Sequence, residues 1–168
     1  RLSDAHIQML YANLNNCLHQ SESHSLFQQK TSLAKTLNLL AETIHKRSLV
    51  IIFSDFLQDQ SYRELYDALQ HIRYNKNEVI LFHVTEPLRE ETFAFENRPT
   101  EMIDMETQEV IKINPNAVRE AYSHTIHKIT EGLHLTCDKF HITYVKADIN
   151  KGFNQILTNY LIKRDRLM

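Results

Sequence analysis

The sequence predicts an α/β protein built on a parallel sheet. Three observations carry this. Leu49–Phe53, Val79–Val84 and Ile142–Val145 are short, apolar, β-branched-rich runs of the kind that form buried strands. Segments with a helical period of apolar residues alternate with them. Alternation of this kind implies right-handed crossovers and a sheet covered on both sides.

The elements follow in order. Residues 3–19 read as an amphipathic helix with Ser3 as N-cap and Ile7, Leu10, Tyr11, Leu14 and Leu18 at helical spacing. Residues 20–30 are a polar loop, and Thr31 caps a second helix over 32–46 with Leu33, Leu37, Leu40 and Ile44 on one face. After the first strand, Ser61-Tyr62-Arg63-Glu64 has the form of a capping box. Its helix runs to about Tyr74 and buries Leu65, Leu69 and Ile72. Asn75-Lys76-Asn77 turns the chain into the second strand, which Pro87 stops. Residues 88–114 break the rhythm. Thr92–Phe95, Thr100–Met105 and Glu109–Ile113 alternate in the strand manner, which predicts a small antiparallel excursion on the main sheet. A helix from Pro115 to about Thr136 buries Val118, Tyr122, Ile126, Ile129 and Leu133. Asn150 caps a last helix that turns Phe153, Ile156, Leu157, Tyr160 and Leu161 inward.

Composition narrows the function. The 168 residues carry 19 basic and 21 acidic side chains, a net charge of -2, which argues against electrostatic binding to nucleic acid or anionic lipid. Apolar runs fall short of the roughly 18 residues of a membrane span. Two glycines exclude the glycine-rich phosphate loops and the nucleophile elbow, each of which needs several close together. Two cysteines make neither a disulfide framework nor a four-cysteine zinc site. The chain begins at Arg1 with no signal-peptide pattern, so the expectation is a fragment of a reduced, cytoplasmic protein.

Ligands of parallel sheets bind beyond the carboxyl ends of the strands. The loops to watch begin at Ser54-Asp55, Thr85-Glu86 and Ala147-Asp148. An acid at Asp55 can bind a hard cation through oxygen, or cap the turn that follows. A hydroxyl at Thr31 can add a ligand, or cap its helix. Glu120, His124, His127, Glu131 and His134 share one helix face, opposite the buried stripe, and read as a solvated face before a metal site. His83 reads as a core histidine donating to a carbonyl, and Cys17 and Cys137 as buried, inert thiols. Arg119 and Tyr122 read as a surface ion pair beside a core aromatic.

These residues, taken together, resemble a known family. Leu49–Phe56 with its strand-final Ser54-Asp55 is similar to the fourth strand of a von Willebrand A-type domain. Phe82-His83-Val84-Thr85-Glu86-Pro87, Glu90 and Phe93-Ala94-Phe95 resemble a strand and loop of one bacterial branch, the domain-of-unknown-function 58 family. Asp104-Met105-Glu106-Thr107, Pro115, Arg119 and Tyr122 resemble its inserted hairpin and helix, with Gln108 where the family's turn usually has glycine. Asp148, Leu157, Tyr160-Leu161 and Arg164 resemble its last strand and helix.

The resemblance implies a single partial von Willebrand A-like domain over 1–168, Rossmann-like and three-layered, with a hairpin insertion at about 88–114. It implies a non-enzymatic interaction module, an adaptor or partner of a MoxR-type AAA+ ATPase, with no catalytic residues. It also implies a metal-ion-dependent adhesion site for Mg2+, in which Thr31 matches the threonine and Asp55 the aspartate of the later loops. The first motif of that site, Asp-x-Ser-x-Ser, is not in the chain, so tight cation binding is not expected here. The fragment would start after the first three strands, leaving the 49–53 edge to be covered by another copy, by further chain or by a rearranged element. Two alternatives stand beside this. One is a metal-dependent hydrolase using Asp55, Glu86 and Asp148 at three strand ends. The other is a structural domain with a dead metal site.

Overall fold

A computed structural model describes residues 3–21, 32–57, 61–96, 98–103 and 109–165. The chain divides into two compact units, one drawn from residues 1–31 and 101–112 and the other from 32–100 and 113–168.

In the first unit, helix α1 spans Asp4–Ser21, with Asp4 in its first turn, where a negative charge suits the helix dipole. The carbonyl of Ser3 accepts the N–H groups of His6 and Ile7. Strands β3 (Thr100–Ile103) and β4 (Val110–Ile113) form their own two-stranded antiparallel sheet, with Lys112 and Glu101 paired at 2.9 Å. The sequence placed this hairpin on the main sheet; among the described residues its two strands pair with each other and with no strand of that sheet. The predicted Asp104–Gln108 segment lies outside the described residues.

The second unit is a three-layer α/β body. Its helices are α2 (Leu33–Thr43), α3 (Tyr62–Tyr74), α4 (Pro115–Lys139) and α5 (Phe153–Asp165). Strands β1 (Leu49–Ser54), β2 (Glu78–Thr85) and β5 (Thr143–Asp148) lie in the order β1-β2-β5, all parallel. The register sets Ser54 beside His83 and Thr85 beside Asp148, so the strand ends converge. Val50, Ile52, Val79 and Leu81 face α2, α3 and α4 in the main core. Ile80, Phe82 and Ala147 face α5, whose Ile156 and Tyr160 pack against them. Buried Asn77 ties three elements: it accepts from the Ser48 N–H at 2.9 Å and donates to the Ile72 carbonyl at 3.0 Å. A wholly buried amide needs such partners.

Several expectations change. β1 was predicted to be buried on both faces; Val50 and Ile52 are buried, but Leu49, Ile51 and Phe53 are exposed. The cap of α2 is Ser32, whose hydroxyl accepts from Lys35, rather than Thr31. Ser61 caps α3 through its carbonyl, bonded by Glu64 N–H, and not through a capping box. Residues 87–91 form a wide helical turn closed by Thr92 N–H on the Pro87 carbonyl, so the 92–95 strand does not form. Asp148, not Asn150, caps the short 149–151 turn that precedes α5. Phe153, Leu157 and Leu161 of α5 are exposed, and so is Cys17.

Candidate functional site

The carboxyl end of the sheet is fixed by a set of hydrogen bonds. The loop after β1 is held from four directions. Phe56 N–H donates to Ser54 Oγ at 3.0 Å, and Leu57 N–H to Asp55 Oδ1 at 3.1 Å. Tyr62 O–H donates to the Phe56 carbonyl at 3.2 Å, and His83 Nε2–H to the Asp55 carbonyl at 3.0 Å. Phe56 is buried with a positive φ of 57°, a conformation a bulky residue keeps only when its surroundings fix it. The Asp55 side chain is nevertheless exposed. One of its oxygens caps the turn, as one of the two sequence readings had it.

His83 lies buried on β2 and accepts from Tyr144 O–H at its other nitrogen, 2.7 Å away. The Asp55 carbonyl can only accept, which assigns the proton to Nε2 and leaves Nδ1 as acceptor. Burial lowers the His83 pKa, assisted by the Lys146 charge and opposed by the bond to Asp55 and the carboxylates of Glu91 and Asp55. Burial likewise raises the Tyr144 hydroxyl to about 12. The core-histidine reading of the sequence is what the structure has.

Glu86, Glu90 and Glu91 follow β2. Glu86 pairs with Arg89 at 3.6 Å, and Glu91 pairs with Lys146 on β5. Glu90 is raised, first by burial, then by the nearby charges of Asp55, Glu86 and Glu91. Asp148 Oδ1 accepts from Asn150 N–H, and its other oxygen lies 3.6 Å from Lys151. Thr85 ends β2 with a hydroxyl that is buried and, among the described residues, without a partner.

Of the two predicted metal ligands, Asp55 is at the surface of this end and Thr31 lies outside the described residues. Magnesium takes six near-octahedral oxygens. One exposed carboxylate, half engaged by its own turn, is not a complete site. No group of three or more His, Cys, Asp or Glu able to hold a metal occurs among the described residues. Glu120, His124, His127, Glu131 and His134 are all exposed on α4, and His134 pairs with Asp138 at 3.1 Å.

Sequence reasoning missed two contacts. Arg119 donates to the carbonyls of Phe93 and Phe95 at 3.1 Å each. It thereby pins the segment after Glu91 against α4, where Phe93 also meets the Tyr122 ring at 4.6 Å. The Tyr144–His83 bond joins residues 61 apart. Neither has a local sequence signal: the first depends on where the 92–96 segment lies against α4, the second on which strands become neighbours.

No described helix is long and apolar enough to cross a membrane. No curated protein and no solved structure matches the chain. The model of one family, described as protein of unknown function DUF58, matches residues 2–131. That is well over half of the 168 residues, and the chain belongs to the DUF58 family.

Proposed function

We propose that the chain is a non-enzymatic protein-interaction module with a von Willebrand A-like fold, a partner or adaptor of a MoxR-type AAA+ ATPase. Its binding end is the carboxyl edge of the sheet. The observation that carries this reading is the Asp55 loop: a rigidly held backbone presenting an exposed carboxylate. Preorganised loops on a rigid sheet suit recognition, because little ordering remains to be done on binding. In an adhesion-type site Asp55 and Thr31 would contribute ligands to Mg2+, and the open position would take an acidic side chain of the partner.

The hydrolase alternative would need Asp55, Glu86 and Asp148 to converge on one metal. Each instead has a local partner: Leu57 N–H, Arg89, and Asn150 with Lys151. That favours binding over hydrolysis.

The test is capture of a purified MoxR-type ATPase by this chain, with Mg2+ or with EDTA. Capture is expected to need Asp55 and to fall in Asp55→Ala. Titration with Mg2+ alone is expected to give about millimolar affinity or weaker. Capture indifferent to Asp55→Ala would remove the carboxyl end from the interface. Phosphoester turnover lost in Asp55→Asn would return the hydrolase reading.

A further inference from the structure

The Asp55 loop holds a conformation its own residues do not favour. Phe56 keeps a φ of 57° with its side chain buried, and a bulky residue stays in the left-handed region only where its neighbours hold it. Released, Phe56 would relax toward negative φ and move the exposed carboxylate of Asp55 beside it. The place of that carboxylate therefore depends on the seat beneath the loop.

His83 supplies much of that seat. It meets the loop twice: Nε2–H donates to the Asp55 carbonyl at 3.0 Å, and the Phe56 ring stands edge-on to the imidazole at 5.5 Å. Both contacts need one rotation of the imidazole about its Cβ–Cγ bond, a torsion that is broad by itself and is set by the ring's partners. At the other nitrogen that partner is the Tyr144 hydroxyl, 2.7 Å from Nδ1. Tyr144 belongs to β5, which β2 separates from β1. It lies opposite Leu81 in the register, so its hydroxyl reaches two residues forward along the sheet to His83. Tyr144 is itself fixed, packed on the main core and edge-on to the His134 ring of α4 at 5.1 Å. Burial pushes its hydroxyl up to about 12, so at neutral pH it remains a donor.

We propose that Tyr144 is a positioning residue for the Asp55 loop, setting the place of the exposed carboxylate from two strands away through the His83 ring. Its O–H on Nδ1 fixes the rotation of the imidazole. That rotation aims Nε2–H at the Asp55 carbonyl and seats Phe56, whose strained turn then persists. Without the hydroxyl, Nδ1 is a buried acceptor with no partner, and the ring turns to seek one. The loop keeps its other side-chain bond, from Tyr62 to the Phe56 carbonyl, so it loosens without unfolding. The use of Asp55 in partner binding rests on the function proposed above; the positioning of the loop by Tyr144 stands apart from it.

The test is Tyr144→Phe, which keeps the ring and removes only the hydroxyl, set beside Tyr62→Phe. Nuclear magnetic resonance reads two signals. The first is the nitrogen shifts of the His83 ring. The second is amide exchange at Phe56 and Leu57, whose N–H groups bond Ser54 Oγ and Asp55 Oδ1, measured relative to the amides of β2 so that a general loss of stability cancels. In Tyr144→Phe the Nδ1 resonance is expected to move to that of an unbonded nitrogen, and the two loop amides to exchange about ten-fold faster. In Tyr62→Phe the loop amides are expected to quicken while the ring resonances stay as in the wild type. Loop amides that keep their wild-type rate in Tyr144→Phe overturn the proposal. So do ring resonances that change as much in Tyr62→Phe, because the ring would then follow the loop rather than hold it. Capture of the ATPase tests the other reading separately. A loop loosened in Tyr144→Phe with capture undiminished upholds the positioning role and takes the loop out of the interface.

Discussion

His83 stands where the β1 loop, β2 and β5 meet, and its two ring bonds prescribe a neutral ring. Nε2–H is committed to the Asp55 carbonyl, and Nδ1 to the Tyr144 hydroxyl. Protonation would turn Nδ1 into a donor facing an O–H that must then swing away. Burial reinforces this by pulling the pKa below 6.5. Stability linked to His83 is therefore complete above pH 6.5. It is lost as the pH falls from there through the folded-state value, because the unfolded chain takes up the proton first. The melting temperature of the wild type is expected to drop more steeply between pH 7 and pH 5 than that of His83→Gln. The variant itself loses about 1–3 kcal/mol at pH 7 with its two bonds. Equal slopes would show that another group sets the acid limb. Glu90 acts in the opposite sense, since its raised pKa makes stability fall as the pH rises above 4.5.

At the scale of elements, α3 and α4 approach closely at one glycine. A Cβ on Gly132 would stand 2.7 Å from the Tyr66 hydroxyl. The helix interior would otherwise favour alanine by up to about 1 kcal/mol. Gly132→Ala is thus expected to gain little alone, and to stabilise by about 0.5–1 kcal/mol once Tyr66→Phe has removed the hydroxyl. Chemical denaturation of the four proteins of this cycle measures the coupling. Additive effects would mean that the hydroxyl moves aside at no cost. The helices were legible in the sequence because their faces repeat at 3.6 residues, and α3 buries Leu65, Leu69 and Ile72 as that period requires. The period of α5 was equally clear, yet Phe153, Leu157 and Leu161 are exposed. Periodicity reports that a face is apolar, not what lies opposite it. Alternation failed at 92–95 for a related reason. Pro87 opens a wide turn there, and Arg119, from 24 or more residues away, takes the carbonyls a strand would have used.

Across the second unit, stability should be graded around β2, which is paired on both sides and has six of its eight residues buried. Its amides are expected to exchange most slowly. Those of β3 and β4, in a two-stranded sheet with mostly exposed residues, should exchange orders of magnitude faster. Hydrogen-exchange mass spectrometry over the two segments checks this; similar rates would mean the hairpin is braced as firmly as the body. The site divides along the same line. Asp55 and His83 were legible, since strand ends and apolar runs locate them. The Tyr144 bond was not, because strand order is a property of the whole sheet.

The Arg164–Glu78 clasp bears on how the protein is made. Both terminal guanidinium nitrogens reach the Glu78 carboxylate, at 2.9 and 3.2 Å, and Nη1 also donates to Tyr160, which packs edge-on against Phe82. The two clasped residues are 86 positions apart, and Ile156 and Tyr160 of α5 press on the sheet. During translation, Ile80 and Phe82 are therefore synthesised long before their cover. At about 5–20 residues per second this face stays open to solvent for several seconds. Until α5 is made, the nascent chain carries an uncovered apolar strand face that a general chaperone can bind.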